Sequence, residues 1–264
     1  MTVTATIGAA STTSRAIDVD MPEGLTRDLA KLKEAAVNLS TLAPNRDLPD
    51  LVLDAWLAGR DPLTDKEIMR AATAQALRAA GVGGGIDTVL EKRQAKALAA
   101  HADEWIEDLI PVASVAADAL SEARDAIPDF DLADTKSVGA LPADHLALWA
   151  KAREARARLD KVLDVWQLLA GETKRADLGA EWSEVLILAD LNLEQYESMR
   201  GATVDKVISR GYPIKLATFA EHRDRMERFT EERDADRVAD RNERAARLER
   251  TRNRLSLREV RVFG

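Results

Sequence analysis

Apolar residues recur every seven positions in two stretches between Ile86 and Ala170. In the first, Leu98, Trp105, Val112 and Ala119 are interleaved with Ala102, Leu109, Ala116 and Ala123. In the second, Leu148, Ala155, Val162 and Leu169 enclose Ala152, Leu159 and Trp166. This spacing predicts a narrow apolar seam along each of two long helices. A polar turn, Asp129 to Ala140, separates them. Pro111 should kink the first helix, Pro128 should end it, and Pro142 suits the first turn of the return helix. Pairing about residue 135 sets Trp105 opposite Trp166 within about one helical turn. Alanine at many seam positions implies close helix approach.

Outside this hairpin the periodicity is less regular. Residues 1–22 are rich in Thr, Ala and Ser, with weak alternation at Val3, Ala5 and Ile7. That pattern admits a short edge strand, and fits a flexible arm better. The 23–82 region reads as helical: Leu25, Leu29, Leu32, Ala36 and Leu39 share a face, and Leu51 to Leu57 form a short apolar helix ending at Gly59. Thr64 and Glu67 have capping-box spacing for a helix running to about Ala80. The Gly81–Gly85 cluster should stop that helix as a hinge, since no strand or Gly-Lys-Ser/Thr sequence makes it a phosphate loop. A compact connecting region at 171–213 gathers Trp182, Val185, Leu186, Ile187, Leu188, Leu191 and Leu193, with a helix favoured over a strand at Val185–Leu188. From 214 to 264 the chain reads as a long charged helix to about Leu255, then a tail. Acid-before-base pairs lie four apart at Glu221/Arg225, Asp224/Arg228, Asp240/Arg244 and Glu243/Arg247. Leu257 to Phe263 alternates like a short terminal strand. The fold class is therefore all-α: an elongated helical bundle with a long antiparallel hairpin, an extended charged C-terminal helix and short terminal strands.

Composition sharpens this picture. The 264 residues include 4% aromatic and 32% charged side chains, which excludes a large aromatic core and suits helix-on-helix packing. Trp56, Trp105, Trp149, Trp166 and Trp182 all sit among apolar neighbours at helical spacing and read as core anchors. Cys is absent, which removes disulfides, thiolate metal sites and a catalytic thiol. Neither a basic leader nor an apolar run of the ~20 residues needed to cross a bilayer is visible. The expected location is cytoplasmic, or the virion if the gene belongs to a phage.

Chemistry is sparse. Only His101, His145 and His222 occur, and no Glu-x-x-His or His-Glu-x-x-His accompanies them. His101 and Glu104 share a helix face, but a surface or seam-edge histidine is the better reading. No Gly-x-Ser-x-Gly is present, and paired acids in so acidic a chain read as solvated surface. The chain is therefore expected to be no enzyme, with no cofactor and no metal.

Charge supplies the strongest functional lead. The chain carries a formal net charge of -8, yet residues 221–264 hold 13 Arg against 11 acids. Arg241, Arg244, Arg247, Arg250, Arg252, Arg254, Arg258 and Arg261 face only Glu243, Glu249 and Glu259. The bland reading is a salt-bridged solvent helix. The sharper one is a partner-binding arm, because arginine pairs bidentately with carboxylates. Phosphate backbone is a third target, disfavoured by the interspersed acids and the acidic body.

An acidic helical body with a mobile N-terminal arm and a basic C-terminal helix resembles, in composition and layout alone, the scaffolding and accessory virion proteins of tailed bacteriophages. In that family a basic terminal helix contacts the coat. The resemblance thus implies coat binding for the eight arginines, although no motif carries it. The sequence-based expectation is a non-enzymatic structural or assembly protein that works through helix-mediated association. Its partners would be proteins, chiefly further copies of itself, with no membrane partner. The alternative is a helical adaptor or regulator binding nucleic acid or an acidic partner through the arginine-rich arm.

Overall fold

Most seam residues of the two long heptad stretches are buried, while Val112 and Leu148 are only half-buried. In the computed structural model they lie on α5 (Val82–Ala126) and α6 (Ala143–Thr173). The structure describes residues 2–40, 47–79, 82–132, 137–176, 179, 183–199, 201 and 203–262, and side chains among them except at 38–40, 77–78, 82–86, 137, 140, 183 and 249–262. The described residues form ten α-helices and no strand, so the fold is all-α. None of these helices is long and apolar enough to cross a membrane.

The chain separates into two compact units. One comprises Met1–Leu109 with Asp160–Arg175, the other Ile110–Leu159 with Ala176–Gly264. Two of the three boundaries cut through α5 and α6, so each unit holds a part of each long helix.

In the first unit Leu98, Ala102, Trp105, Ile106 and Leu109 of α5 are fully buried, as are Val162, Val165, Trp166, Leu169 and Ala170 of α6. The buried stripe is wider than the two-position heptad seam, because Ile106 and Val165 join it; a globular helix face has this breadth. Trp105 and Trp166 are both at 0% exposure. Arg175, just past the end of α6, donates to the Ala99 carbonyl at 2.6 Å and pairs with Asp103.

The serine- and threonine-rich N-terminus corrects the sequence-based expectation of a flexible arm or edge strand. It is helix α1 (Val3–Arg15), capped by Thr2. Ile7, Ala10 and Ser14 are buried at helical spacing, followed by Ile17. Small residues concealed this face: only one of its four buried positions within the helix carries a large apolar side chain. Thr6 Oγ1 donates to Glu172 at 3.0 Å, and Thr4 bonds Gln94 at 2.9 Å. α2 (Glu23–Ser40) buries Leu25, and its Gly24 supports the ring of His101. A β-carbon at Gly24 would come within 2.3 Å of His101 Cε1. The His101 ring lies between Glu104 at 3.2 Å and Asp28 at 3.5 Å.

α3 (Leu48–Leu57) and α4 (Lys66–Ala79) pack together through Leu51, Ala55, Ile68 and Ala71. Gly59 ends α3 with φ +69°, where glycine avoids the left-handed penalty. Asp65, rather than Thr64, caps α4, accepting from the Glu67 amide at 2.9 Å. Residues 80–81 are outside the described residues, but Gly83, Gly84 and Gly85 lie within the first turn of α5. Instead of forming a hinge they extend the long helix, despite about 1 kcal/mol per glycine relative to alanine inside a helix.

In the second unit α5 continues as helix through Pro111 to Ala126, burying Ala113, Ala116, Leu120 and Ala123. α6 begins directly after Pro142 and buries Trp149, Ala152, Ala155 and Leu159. Lys151 bonds Glu122 at 2.6 Å.

Three short helices follow: α7 (Ser183–Leu188), α8 (Leu193–Ser198) and α9 (Val204–Ser209). Their core gathers Val185, Leu186, Ala189, Leu191, Met199, Val207 and Phe229. Trp182, expected here, lies outside the described residues. Asn192 and Gln195 form a capping box at α8, and Arg156 of α6 holds Asp205 of α9 at 2.7 Å. The last helix, α10 (Phe219–Val262), starts later than the pattern predicts. Residues 214–217 are not helical, and the amides of Lys215 and Ala217 donate to the Leu188 and Ile187 carbonyls at 2.7 and 2.8 Å. At its other end α10 overturns the expected terminal strand, since 257–262 are helical. Alternation over so few residues is outweighed by propagation of a helix already nucleated upstream.

Candidate protein-interaction surfaces

The proximal part of α10 is tied into the second unit. Phe219, His222, Arg225 and Phe229, spaced three or four apart, are all buried. Phe229 meets Tyr196 edge-on, with ring centroids 5.2 Å apart. Arg225 is only 5% exposed, and its guanidinium donates to the Leu186 carbonyl at 2.9 Å and the Lys215 carbonyl at 3.3 Å. The Leu186 carbonyl lies in the last turn of α7, where a cation complements the helix dipole. Burial lowers the Arg225 pKa, while the charges of Asp190 and Glu221 oppose that shift. The residue remains a cation at neutral pH.

Of the four predicted i,i+4 pairs, two form and two are redirected. Arg244 pairs with Asp240 at 3.6 Å, and Arg247 with Glu243 at 2.6 Å. Arg225 instead serves backbone carbonyls, and Arg228 reaches Asp190 at 2.7 Å. Glu221 bonds Lys215 at 2.7 Å and the Thr218 amide at 2.9 Å; the lysine bond is the main cause of its lowered pKa, followed by the amide. A cleft of about 270 Å³ is lined by Asp190, Lys215, Glu221, Asp224, Arg225 and Arg228. Two of its three acids are already paired with its own cations.

Beyond Thr230 the helix changes character. From Asp234 to Leu248 every described side chain is exposed except half-buried Ala246. Val238 is 52% exposed and Leu248 72%. Arg241, Arg244 and Arg247 all lie on this exposed stretch, Arg241 with no acid partner among the described residues. Arg250, Arg252, Arg254, Arg258 and Arg261 lie on the same helix, their side chains outside the described residues. All eight predicted partner-binding arginines therefore belong to one element.

A second surface was missed by the sequence reading. Trp56, expected in the core with the other tryptophans, is 70% exposed. Trp105, Trp149 and Trp166 are buried as expected. α3 is only ten residues long and apolar on two sides. Its inner side is filled by Leu51 and Ala55, so Leu53, Trp56 and Leu57 at i, i+3 and i+4 face solvent. The signal lay in the composition: too many large apolar residues for one face of so short a helix.

Another cleft, about 360 Å³, is lined by Asp28, Lys31, Leu32, Arg93, Lys96, Ala97 and Ala100. Among the described residues no three His, Asp or Glu side chains gather in a metal-holding arrangement. His101 is engaged by Asp28 and Glu104, and His222 is buried. The chain matches no protein-family model, and no curated protein or solved structure is significantly similar to it.

Proposed function

We propose that this protein is a non-enzymatic structural or assembly component that self-associates through its helices, in the manner of a bacteriophage scaffolding or accessory virion protein. The observation that carries the reading is the solvent-exposed length of α10. The helix runs on to Val262, although its described side chains from Asp234 to Leu248 bury almost nothing. Most helical stability in proteins comes from packing an apolar face. A long helix kept in water, with Val238 and Leu248 uncovered and arginines along it, supplies a ready docking element for another protein. The exposed apolar side of α3 supports the same reading, since such patches mark interaction sites.

The test is the mass of the full chain as a function of concentration, by sedimentation equilibrium or multi-angle light scattering. The weight-average mass should climb with concentration and fall back as salt is added, because arginine contacts are screened. A chain that stays monomeric at every concentration overturns the reading.

A further inference from the structure

We infer that the outer face of α3 receives the arginine-rich end of α10 from a second copy, so that the chain associates head to tail. This rests on the self-association proposed above and names the two surfaces that meet. Leu53, Trp56 and Leu57 form one exposed stripe, at 57%, 70% and 79% exposure. A large aromatic ring at the centre of an apolar stripe is the usual composition of an interface hot spot.

The charge around that stripe selects its occupant. Residues 47–65 carry five aspartates and one arginine, Arg60, which pairs with Asp65. The segment that bears the stripe is thus acidic in sequence. On α10, residues 241–261 hold eight arginines and three acids. Leu248, Leu255 and Val262 stand seven apart in that segment, which puts a line of apolar positions along one side of a basic helix. Trp56 and Leu248 are both exposed.

The alternatives between copies are disfavoured by the same charges. Pairing two α3 faces would set aspartates against aspartates, and pairing two α10 ends would set arginines against arginines. Like charges brought together across an interface cost several kcal/mol. Only the cross-pairing joins apolar to apolar while joining acid to base. Each chain carries both surfaces, so the contact is heterologous. It leaves one surface of each kind unused at the ends, and therefore grows into filaments or closes into rings.

The test uses full-length chains and sedimentation equilibrium. Trp56→Ser breaks the acceptor, and Arg241→Glu with Leu248→Ser breaks the donor. None of these residues is buried, and circular dichroism confirms that helix content is retained. Each variant alone should associate at least about tenfold more weakly than the parent chain. Mixed together, the two variants should form dimers that do not grow, because one intact acceptor meets one intact donor. A parent chain that associates while Trp56→Ser associates equally well overturns the head-to-tail contact and leaves the assembly reading standing. So does a mixture in which the two variants ignore each other. A parent chain that never associates overturns both.

Discussion

The two halves of α10 have similar composition and opposite fates. Residues 219–229 and 234–248 are both dense in acids and arginines. In the first, Arg225 is almost fully buried, and its guanidinium binds backbone carbonyls. In the second, Arg244 and Arg247 pair with carboxylates one turn away and remain exposed. The difference is made by phenylalanine. Phe229 packs into the core of α7 and α8, Phe219 is buried at the start of the helix, and in that packed half Arg225 reaches the carbonyls of Leu186 and Lys215. An arginine's role along a charged helix is thus decided by the apolar residues beside it.

If that contrast is correct, substitutions along one helix should fall steeply in effect. The largest change is expected for Arg225→Ala, which leaves the Leu186 and Lys215 carbonyls without their buried donor. Chemical denaturation should show a loss of about 3 kcal/mol. Arg225→Lys should restore only part of it, because one ammonium cannot reproduce the two-pronged contact.

Next comes Glu221, whose lowered pKa means that the folded state favours its charged form. Its stabilisation is complete above the ordinary carboxylate range and is lost as pH falls through the depressed folded value. Stability measured against pH should therefore drop less in acid for Glu221→Gln than for the parent. The group is partly exposed, so the effect should stay below about 1 kcal/mol. The smallest effect is expected distally, where Glu243→Gln should change stability by no more than about 0.5 kcal/mol. A loss from Glu243→Gln as large as that from Arg225→Ala would erase the distinction between the two halves.

Much of the architecture could be read from the residues. The heptad positions of α5 and α6, the terminating Pro128, and the glycine stop after α3 all follow from spacing and backbone preference. So does helix α7, where the flanking Glu and Asp at helical intervals favour helix over strand. Three things were hidden for physical reasons. α1 buries mainly small side chains, so its face carries little hydrophobic contrast. The non-helical segment 214–217 is held by carbonyls of α7, a tertiary pairing that local periodicity does not encode. Trp56 was misread because hydrophobicity alone does not tell which side of a two-sided helix faces its neighbour. For the interaction surface, the eight arginines were evident, whereas the α3 stripe needed coordinates to show that Leu51 and Ala55 had taken the inner side.

The seat of His101 on Gly24 has a consequence for how this sequence can drift. Any heavier residue at 24 would evict the imidazole from its place between Asp28 and Glu104. The two positions are therefore coupled: a bulkier side chain at 24 displaces the ring, and is easier to place once 101 has shrunk. In a selection from randomised libraries, survivors at these sites should come as matched pairs, glycine with a ring or a larger residue with a small one.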